Sequence, residues 1–169
     1  MKRNWKRLGI FILIPLAIGA LSGFLTRGGM EDFASLNKPP LSPPAWLFPV
    51  VWTILYTFMG VSSYLVYISR AKETEGEKRK EELPLKREKS QALSIYGYQL
   101  VVNFLWPVFF FSFGWYFFSF LWLALLWVLV ARMILEFGQI SKTAALLNVP
   151  YLLWLSFAGY LNLGIWLLN

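Results

Sequence analysis

The sequence contains neither cysteine nor histidine. The absence of cysteine excludes disulfide bonds, a thiolate nucleophile and an iron–sulfur cluster held by thiolates of this chain. The absence of histidine removes the most common metal and haem ligand together with the most common general base. We therefore expect no metal site, no cofactor and no hydrolytic mechanism.

Acidic residues are also few, because nine Asp and Glu stand against sixteen Lys and Arg, for a net charge of +7. A basic chain indicates nucleic-acid binding when its cations form a soluble basic face. Here nearly all of them flank long apolar segments, which is the arrangement that membrane topology produces. We expect a lipid bilayer as a partner and no nucleic acid.

Hydrophobic residues make up 57% of the 169 residues, with nine tryptophans and fifteen phenylalanines. Five segments reach the ~20 mostly apolar residues that a helix needs to cross a bilayer core of roughly 30 Å. The first is longer than the ~7–15-residue apolar core of a secretory signal, so we expect it to be retained. The sequence predicts an all-α integral membrane protein, a single domain over 1–169 folded as a five-transmembrane-helix bundle, with spans at 8–26, 45–69, 91–111, 116–137 and 144–168.

The positive charges indicate how these spans are oriented. Fourteen of the sixteen Lys and Arg residues lie before the first span, in the segment 70–90, near the end of the fourth span or in the loop after it, and only Arg27 and Lys38 lie on the other side. Cytoplasmic loops carry the excess of Lys and Arg in membrane proteins. We therefore predict a cytoplasmic amino terminus and an outer carboxyl terminus.

The segment 70–90 is a charged loop in this prediction. It mixes both signs of charge and contains Gly76 and Pro84, which is typical of a solvated and partly disordered linker. A role in binding lipid headgroups or a partner is the alternative.

The third span carries polar and aromatic residues on one stripe. Gln99, Asn103, Trp106 and Phe110 fall at i, i+4, i+7 and i+11, a spacing that places them on one helix face. Lipid cannot satisfy polar groups, so such a face usually points into the protein or a cavity. Pro107 follows Trp106 directly, and we expect a kink there.

The second and fifth spans have similar stripes, each with large aromatic rings and small or polar residues. Together the three stripes predict a pocket with π-rich walls and small floor positions at Gly60 and Ala158, suited to a flat, largely apolar ligand. The alternative is ordinary packing, in which the tryptophans form an interfacial belt and the side-chain amides make hydrogen bonds between helices. The stripes are Trp52, Tyr56, Gly60 and Ser63 in the second span, and Trp154, Ala158 and Asn162 in the fifth, with Tyr151 on a neighbouring part of that stripe.

Prolines crowd the segment between the first two spans. A proline has no N–H donor and a fixed φ, so the chain can run there as a stiff strap. Beside aromatic walls, a strap would form a lid over the outer mouth of the pocket; a plain connector between helices is the alternative. The lid residues in this prediction are Lys38, Pro39, Pro40, Pro43 and Pro44.

Three segments resemble the translocator protein, or peripheral-type benzodiazepine receptor, family (TspO/MBR), whose bacterial members are called tryptophan-rich sensory proteins. They are KPPLSPPAWLFPVVWTILYTFMGVSSYLVY at 38–67, YQLVVNFLWPVFF at 98–110 and PYLLWLSFAGYLNLGIW at 150–166. They cover three of the five spans and the lid loop, in the order of the family. The first and fourth spans match in length and character only.

The resemblance implies a five-helix bundle, often a homodimer, with a ligand cavity under the first loop, and it favours a bacterial cell membrane. Family ligands include protoporphyrin IX, related tetrapyrroles and, in animal members, cholesterol. The segment 161–169 lacks the Tyr–Arg pair of the animal sterol pattern, which puts sterol binding in doubt. The cavity residues carried over by motif are Trp52, Tyr56, Gln99, Asn103, Trp106, Trp154, Phe157 and Ala158.

Two classes of function are consistent with this pattern. The first is a membrane receptor or carrier that binds porphyrins and similar flat ligands, in transport or stress sensing. The second is enzyme-like breakdown of bound porphyrin by light and oxygen, for which the resemblance implicates Trp52 and Trp154. No catalytic residue is firmly assigned, and a small exporter or a scaffold is the least favoured reading.

Overall fold

The computed structural model describes residues 4–69 and 78–169, with side chains for 4–29, 32–69 and 85–169. Five of its helices are long and apolar enough to cross a membrane, and the described ranges contain no strand. The predicted all-α membrane fold is confirmed. The helices are α1 (Trp5–Leu25), the short α2 (Met30–Ser35), α3 (Leu47–Ile68), α4 (Lys78–Pro107), α5 (Tyr116–Ile140) and α6 (Lys142–Leu168).

Glycines set how closely α1 approaches α3. A Cβ added at Gly60 would lie 2.5 Å from the Cα of Ile12, so only a residue without a side chain fits there. On the same interface Gly19 receives the ring of Tyr56. The sequence placed Gly60 on the floor of a pocket, and that prediction is wrong because this glycine faces the backbone of α1.

The fourth helix begins inside the segment predicted as a loop over 70–90. It starts at Lys78, because the Lys-, Arg- and Glu-rich sequence that follows consists mostly of good helix formers. Lys89 fixes this part of α4 against α3, since its ammonium group donates to the backbone oxygens of Tyr67 (3.2 Å) and Ser69. Residues 70–77 lie outside the described ranges, so the linker prediction is not tested there.

At the position of the expected kink after Trp106, the α-helix changes to a short π-helix. Helix α4 ends at Pro107, and residues Val108–Ser112 continue as a π-helix in which Phe113 N donates to Val108 O (3.2 Å). Proline lacks the N–H that would continue the α-helical ladder, so the hydrogen bonds shift to a longer spacing. Gly114, with φ of 63°, then turns the chain into α5.

Contacts at the two ends of the bundle show that α1 and α3 run in opposite directions and that α6 ends beside the strap. At one end the amide of Asn4 donates to the hydroxyl of Tyr64 (3.1 Å), which joins the start of α1 to the end of α3. At the other end Asn37 and Asn169 bind each other, which joins the strap to the end of α6. Among the side chains that the structure describes, most cations thus lie at the first end, and its assignment to the cytoplasm stays a prediction.

Candidate functional site

The proline strap is docked onto α6. Pro39 is buried and faces Gly164, where an added Cβ would lie 2.7 Å from the proline ring. The hydroxyl of Tyr160 donates to the carbonyl of Pro40 (2.8 Å). Asn37 N donates to Asn169 Oδ1 and Asn169 Nδ2 donates to Asn37 O, both at 3.0 Å.

The remaining lid residues surround this contact. The ammonium group of Lys38 lies 4.8 Å from the ring centre of Phe33 and donates to the carbonyl of Ala34 (3.4 Å). Pro43 is half-buried and Pro44 is exposed. The structure therefore shows a strap held at one edge of the bundle mouth by backbone, amide and phenol contacts.

A buried hydrogen-bonded chain joins α3, α4 and α6 in the centre of the bundle. The hydroxyl of Tyr56 donates to Asn103 Oδ1 (2.6 Å), and Asn103 Nδ2 donates to the hydroxyl of Tyr151 (2.6 Å). Tyr151 in turn donates to Gln99 Oε1 (3.1 Å). All four side chains are buried, so their groups satisfy one another in a region without competing solvent.

This hydrogen-bonded chain brings together three residues of the predicted site and adds a fourth. Tyr56, Gln99 and Asn103 were predicted to face the interior, and they meet there. Tyr151 was placed only on a neighbouring part of the stripe, yet its hydroxyl links Asn103 to Gln99. Its position one helical turn before Trp154 was the signal that could have identified it.

Trp52 packs directly beside this polar chain. Its ring stacks on Tyr56 with centroids 5.3 Å apart and meets the edge of the Tyr151 ring at 6.0 Å. Such offset-stacked and edge-to-face pairs are favourable beyond the area that they bury. An indole, two phenols and two carboxamides therefore form one mixed aromatic and polar cluster.

Trp106 belongs to a second cluster, which lies nearer the π-helix. Its indole N–H donates to Asn162 Oδ1 (3.2 Å), and Asn162 Nδ2 donates to the carbonyl of Tyr116 (2.8 Å). Its ring stacks on Phe110 at 5.2 Å, and Phe33 from α2 meets Phe110 edge-on at 5.8 Å. Sequence patterns did not indicate Phe33, because α2 lies outside the transmembrane stripes.

Trp154 and Phe157 form a third group on α6. The ring of Trp154 lies 6.0 Å from Phe48 and 5.7 Å from Phe157. Ala158 is half-buried and, like the three tryptophans of the stripes, packs against the central hydrophobic core. The predicted site residues thus occupy three adjoining clusters around that core.

The chemistry of these clusters is stacking and hydrogen bonding. Within 4–69 and 78–169, no group of three or more acidic side chains could hold a metal ion. A groove of about 250 Å³ lies elsewhere, between α5 and α6, where Trp127 and Tyr160 are part of its lining. None of the predicted site residues lines that groove.

Comparison with known proteins relates the whole chain to one family. A model of the TspO/MBR family matches residues 11–167. The translocator protein of Bos taurus is 36% identical over 98% of this chain and 92% of its own length. The tryptophan-rich protein TspO of Chlorobaculum tepidum is 35% identical over 100% of this chain and 99% of its own.

A third relative, the tryptophan-rich sensory protein of Cereibacter sphaeroides, is 32% identical over 100% of this chain and 95% of its own length. These matches extend through the first and fourth spans, which contain none of the three segments that resemble the family. They agree with the five-helix fold and with the resemblance of the proline, Asn–Trp–Pro and Trp–Phe segments. The chain belongs to the TspO/MBR family.

Proposed function

We propose that this protein is a membrane receptor or carrier that binds protoporphyrin IX-like tetrapyrroles and similar flat hydrophobic ligands. The ligand would lie inside the bundle between α3, α4 and α6, beneath the proline strap. The observation that carries the proposal is the cluster of Trp52, Tyr56 and Tyr151 around the amide of Asn103. It offers broad π surfaces and a few directional polar groups, the combination that suits a flat macrocycle.

Ligand binding requires this cluster to open. The ring of Trp52 already contacts both Tyr56 and Tyr151, with centroids 5.3 and 6.0 Å away. A macrocycle that stacks on the indole must replace at least one of these ring contacts. We expect the strap to leave α6 during this step, because Pro39 and Pro40 are held against the outer half of α6.

The propionate groups of a porphyrin would be bound at the outer end. Arg27 and Lys38 are exposed at that end, and their charged groups lie over the rings of Phe24 (4.4 Å) and Phe33 (4.8 Å). Guanidinium and ammonium groups are the usual partners of carboxylates. This arrangement would keep the carboxylates in water while the macrocycle is buried.

The protein is an integral membrane protein, and we propose the bacterial cell membrane as its location, with the amino terminus in the cytoplasm. The bias of Lys and Arg toward one end of the bundle supports this orientation. We also propose a homodimer, as the family resemblance implies. Cross-linking in native membranes at several expression levels would test it, and a species that never exceeds the monomer mass would refute it.

Titration of the purified protein with protoporphyrin IX in the dark tests the main proposal. We expect saturable quenching of tryptophan fluorescence, because the macrocycle would stack against Trp52. A linear, non-saturating quenching equal to that of tryptophan octyl ester in detergent micelles would refute porphyrin binding. Detergent micelles with free tryptophan octyl ester provide the matched blank.

Illumination of the same sample in air separates the receptor from the enzyme-like alternative. The close pairing of Trp52 with Tyr56 places two oxidisable rings where the porphyrin would lie, which favours testing photochemistry. If the protein is a receptor or carrier, the porphyrin absorption band should decay at the same rate as that of free porphyrin. Faster loss with a new product spectrum, abolished by Trp52→Phe or Trp154→Phe, would assign porphyrin breakdown instead.

A further inference from the structure

The groove between α5 and α6 is separate from the candidate site, since none of the predicted site residues lines it. Its volume of about 250 Å³ falls below the ~300–1,000 Å³ of pockets that bury drug-sized ligands. Its walls are mostly leucine and aromatic side chains. The groove therefore suits a narrow apolar occupant rather than a macrocycle.

The groove lies in the half of the membrane-spanning region nearest the strap. On α5 it extends from Phe120 to Trp127, a length of ~10 Å at 1.5 Å per helical residue. Asn162 Nδ2 donates to the carbonyl of Tyr116, so α5 begins beside the end of α6, where the strap docks. Two of the lining residues, Trp127 and Tyr160, are 39% and 43% exposed. The groove is thus open to the outside of the bundle, where a bilayer presents hydrocarbon chains.

Every side-chain N–H and O–H group in the groove wall already has an acceptor within the protein. The indole N–H of Trp127 donates to Ser156 Oγ (2.9 Å), and the hydroxyl of Ser156 donates to the carbonyl of Leu152 (3.0 Å). The hydroxyl of Tyr160 donates to the carbonyl of Pro40 (2.8 Å). The groove therefore has no free donor for a polar ligand, and these bonds hold its two exposed rings in place before any occupant binds.

Small residues on both helices leave the groove unfilled. A Cβ added at Gly159 would have Leu123 Cδ2, at 3.9 Å, as its nearest neighbour, which is an ordinary contact. Close packing of α5 on α6 therefore does not require a glycine there, in contrast to Gly60 at the contact of α3 with α1. Ala124 lines the groove from α5. A larger side chain at Gly159 or Ala124 would take the space that an occupant needs.

We propose that this groove binds one acyl chain of a membrane phospholipid, whose headgroup lies at the surface on the strap side. An acyl chain is narrow and needs no hydrogen bond, so it matches both the size and the chemistry of the groove. Between two helices it touches protein on several sides, and it gains dispersion contacts that the convex face of a single helix does not offer. The proposal is independent of porphyrin binding, because it concerns a different part of the bundle.

Photolabelling of the full chain in a bilayer tests this site. The protein is placed in nanodiscs of phosphatidylcholine that contain a small fraction of phosphatidylcholine with a diazirine in one acyl chain, irradiated, digested and analysed by mass spectrometry. We expect the groove residues of α5 and α6 to be labelled at several times the level of Leu13, a 64% exposed side chain of α1. Labelling of the groove no stronger than that of Leu13 would overturn the proposal.

Two variants fill the groove from opposite helices, so the test does not depend on one of them folding. Gly159→Leu and Ala124→Leu should each lower labelling of the groove several-fold. Gly23→Leu is the matched control, because Gly23 is exposed on α1 and a Cβ there meets nothing within 4 Å; its groove should be labelled like that of the wild type. Size-exclusion chromatography verifies folding and shows the oligomeric state.

Three further results would also overturn the proposal. Labelling that persists in folded variants with a filled groove would place the acyl chain elsewhere. A wild-type dimer that labels weakly in the groove, and that becomes a monomer in Gly159→Leu, would assign the groove to a second copy of this chain. Loss of groove labelling when protoporphyrin IX is added in the dark would assign it to the porphyrin.

Discussion

Tyr56 and Asn103 are joined by a hydrogen bond of 2.6 Å in the centre of the membrane bundle. The same carboxamide donates to Tyr151, so a single side chain of α4 holds α3 and α6 together. Both partners are buried, and neither can exchange this bond for one to solvent. The amide therefore serves the fold directly, and a ligand that enters the bundle must rearrange it or bind beside it.

Replacing this amide should destabilise the protein. Asn103→Leu keeps a similar volume but leaves the hydroxyl of Tyr56 without its acceptor and removes a donor to Tyr151. Leaving buried polar groups unpaired costs about 1–3 kcal/mol. Unfolding in mixed micelles would measure the loss, and Ser94→Ala, at an exposed position of the same helix, should change little. Equal stability of the two variants would show that these buried hydrogen bonds contribute little to the free energy of unfolding.

Gly60 should tolerate no side chain. In Gly60→Ala the new Cβ would lie 2.5 Å from the backbone of Ile12, which forces α1 away from α3 and should cost about 1–3 kcal/mol as an overpacked contact. Gly23→Ala is the matched control, because a Cβ there meets nothing within 4 Å. A Gly60 variant that melts at or above the temperature of the Gly23 variant would contradict the close approach.

The contact between Pro39 and Gly164 should control how firmly the strap is held. In Gly164→Ala the added Cβ would lie 2.7 Å from Pro39, so we expect the strap to separate from α6. The amide of Asn37, which donates to Asn169, should then exchange with deuterium about tenfold faster, as expected for a locally opened segment.

Gly97→Ala is the control for that exchange measurement, since its Cβ would meet nothing within 4 Å. Its exchange at Asn37 should equal that of the wild type. If exchange at Asn37 is unchanged in the Gly164 variant as well, the strap is held by its amide and phenol contacts alone.

Filling the interior beside Trp154 tests where porphyrin binds. Ala158→Phe adds a ring at a half-buried position next to the core, and we expect the affinity for protoporphyrin IX to fall at least tenfold. Trp154→Phe removes only part of a stacking surface and should weaken binding about twofold to fivefold, in line with the energy of one aromatic pair. Fluorescence titration in the dark measures both.

Leu153→Phe is the matched control, because it adds a ring on the same helix at a side chain that is 66% exposed. It should bind porphyrin like the wild type. Size-exclusion chromatography and circular dichroism would verify that all three variants fold. If folded Ala158→Phe binds as tightly as Leu153→Phe, the pocket lies elsewhere in the protein.

The sequence by itself determined the class of fold and the inward faces of the spans. Bilayer thickness fixes the length of an apolar helix, and lipid cannot pair polar groups, so hydropathy and helical spacing were enough to place Tyr56, Gln99 and Asn103 inside. The motif segments were also enough to identify the family. These signals are local, since each depends on residues within one span.

Only the tertiary structure decided which residues meet. Helical spacing gives a direction but not the neighbour that lies there, so Gly60 could not be assigned to α1, nor Tyr151 to the Asn103 chain. The docking of Pro39 on Gly164 likewise depends on residues more than eighty positions apart in the sequence. Such contacts arise from the packing of the whole bundle, because backbone approach and hydrogen-bond pairing are settled between helices and not within them.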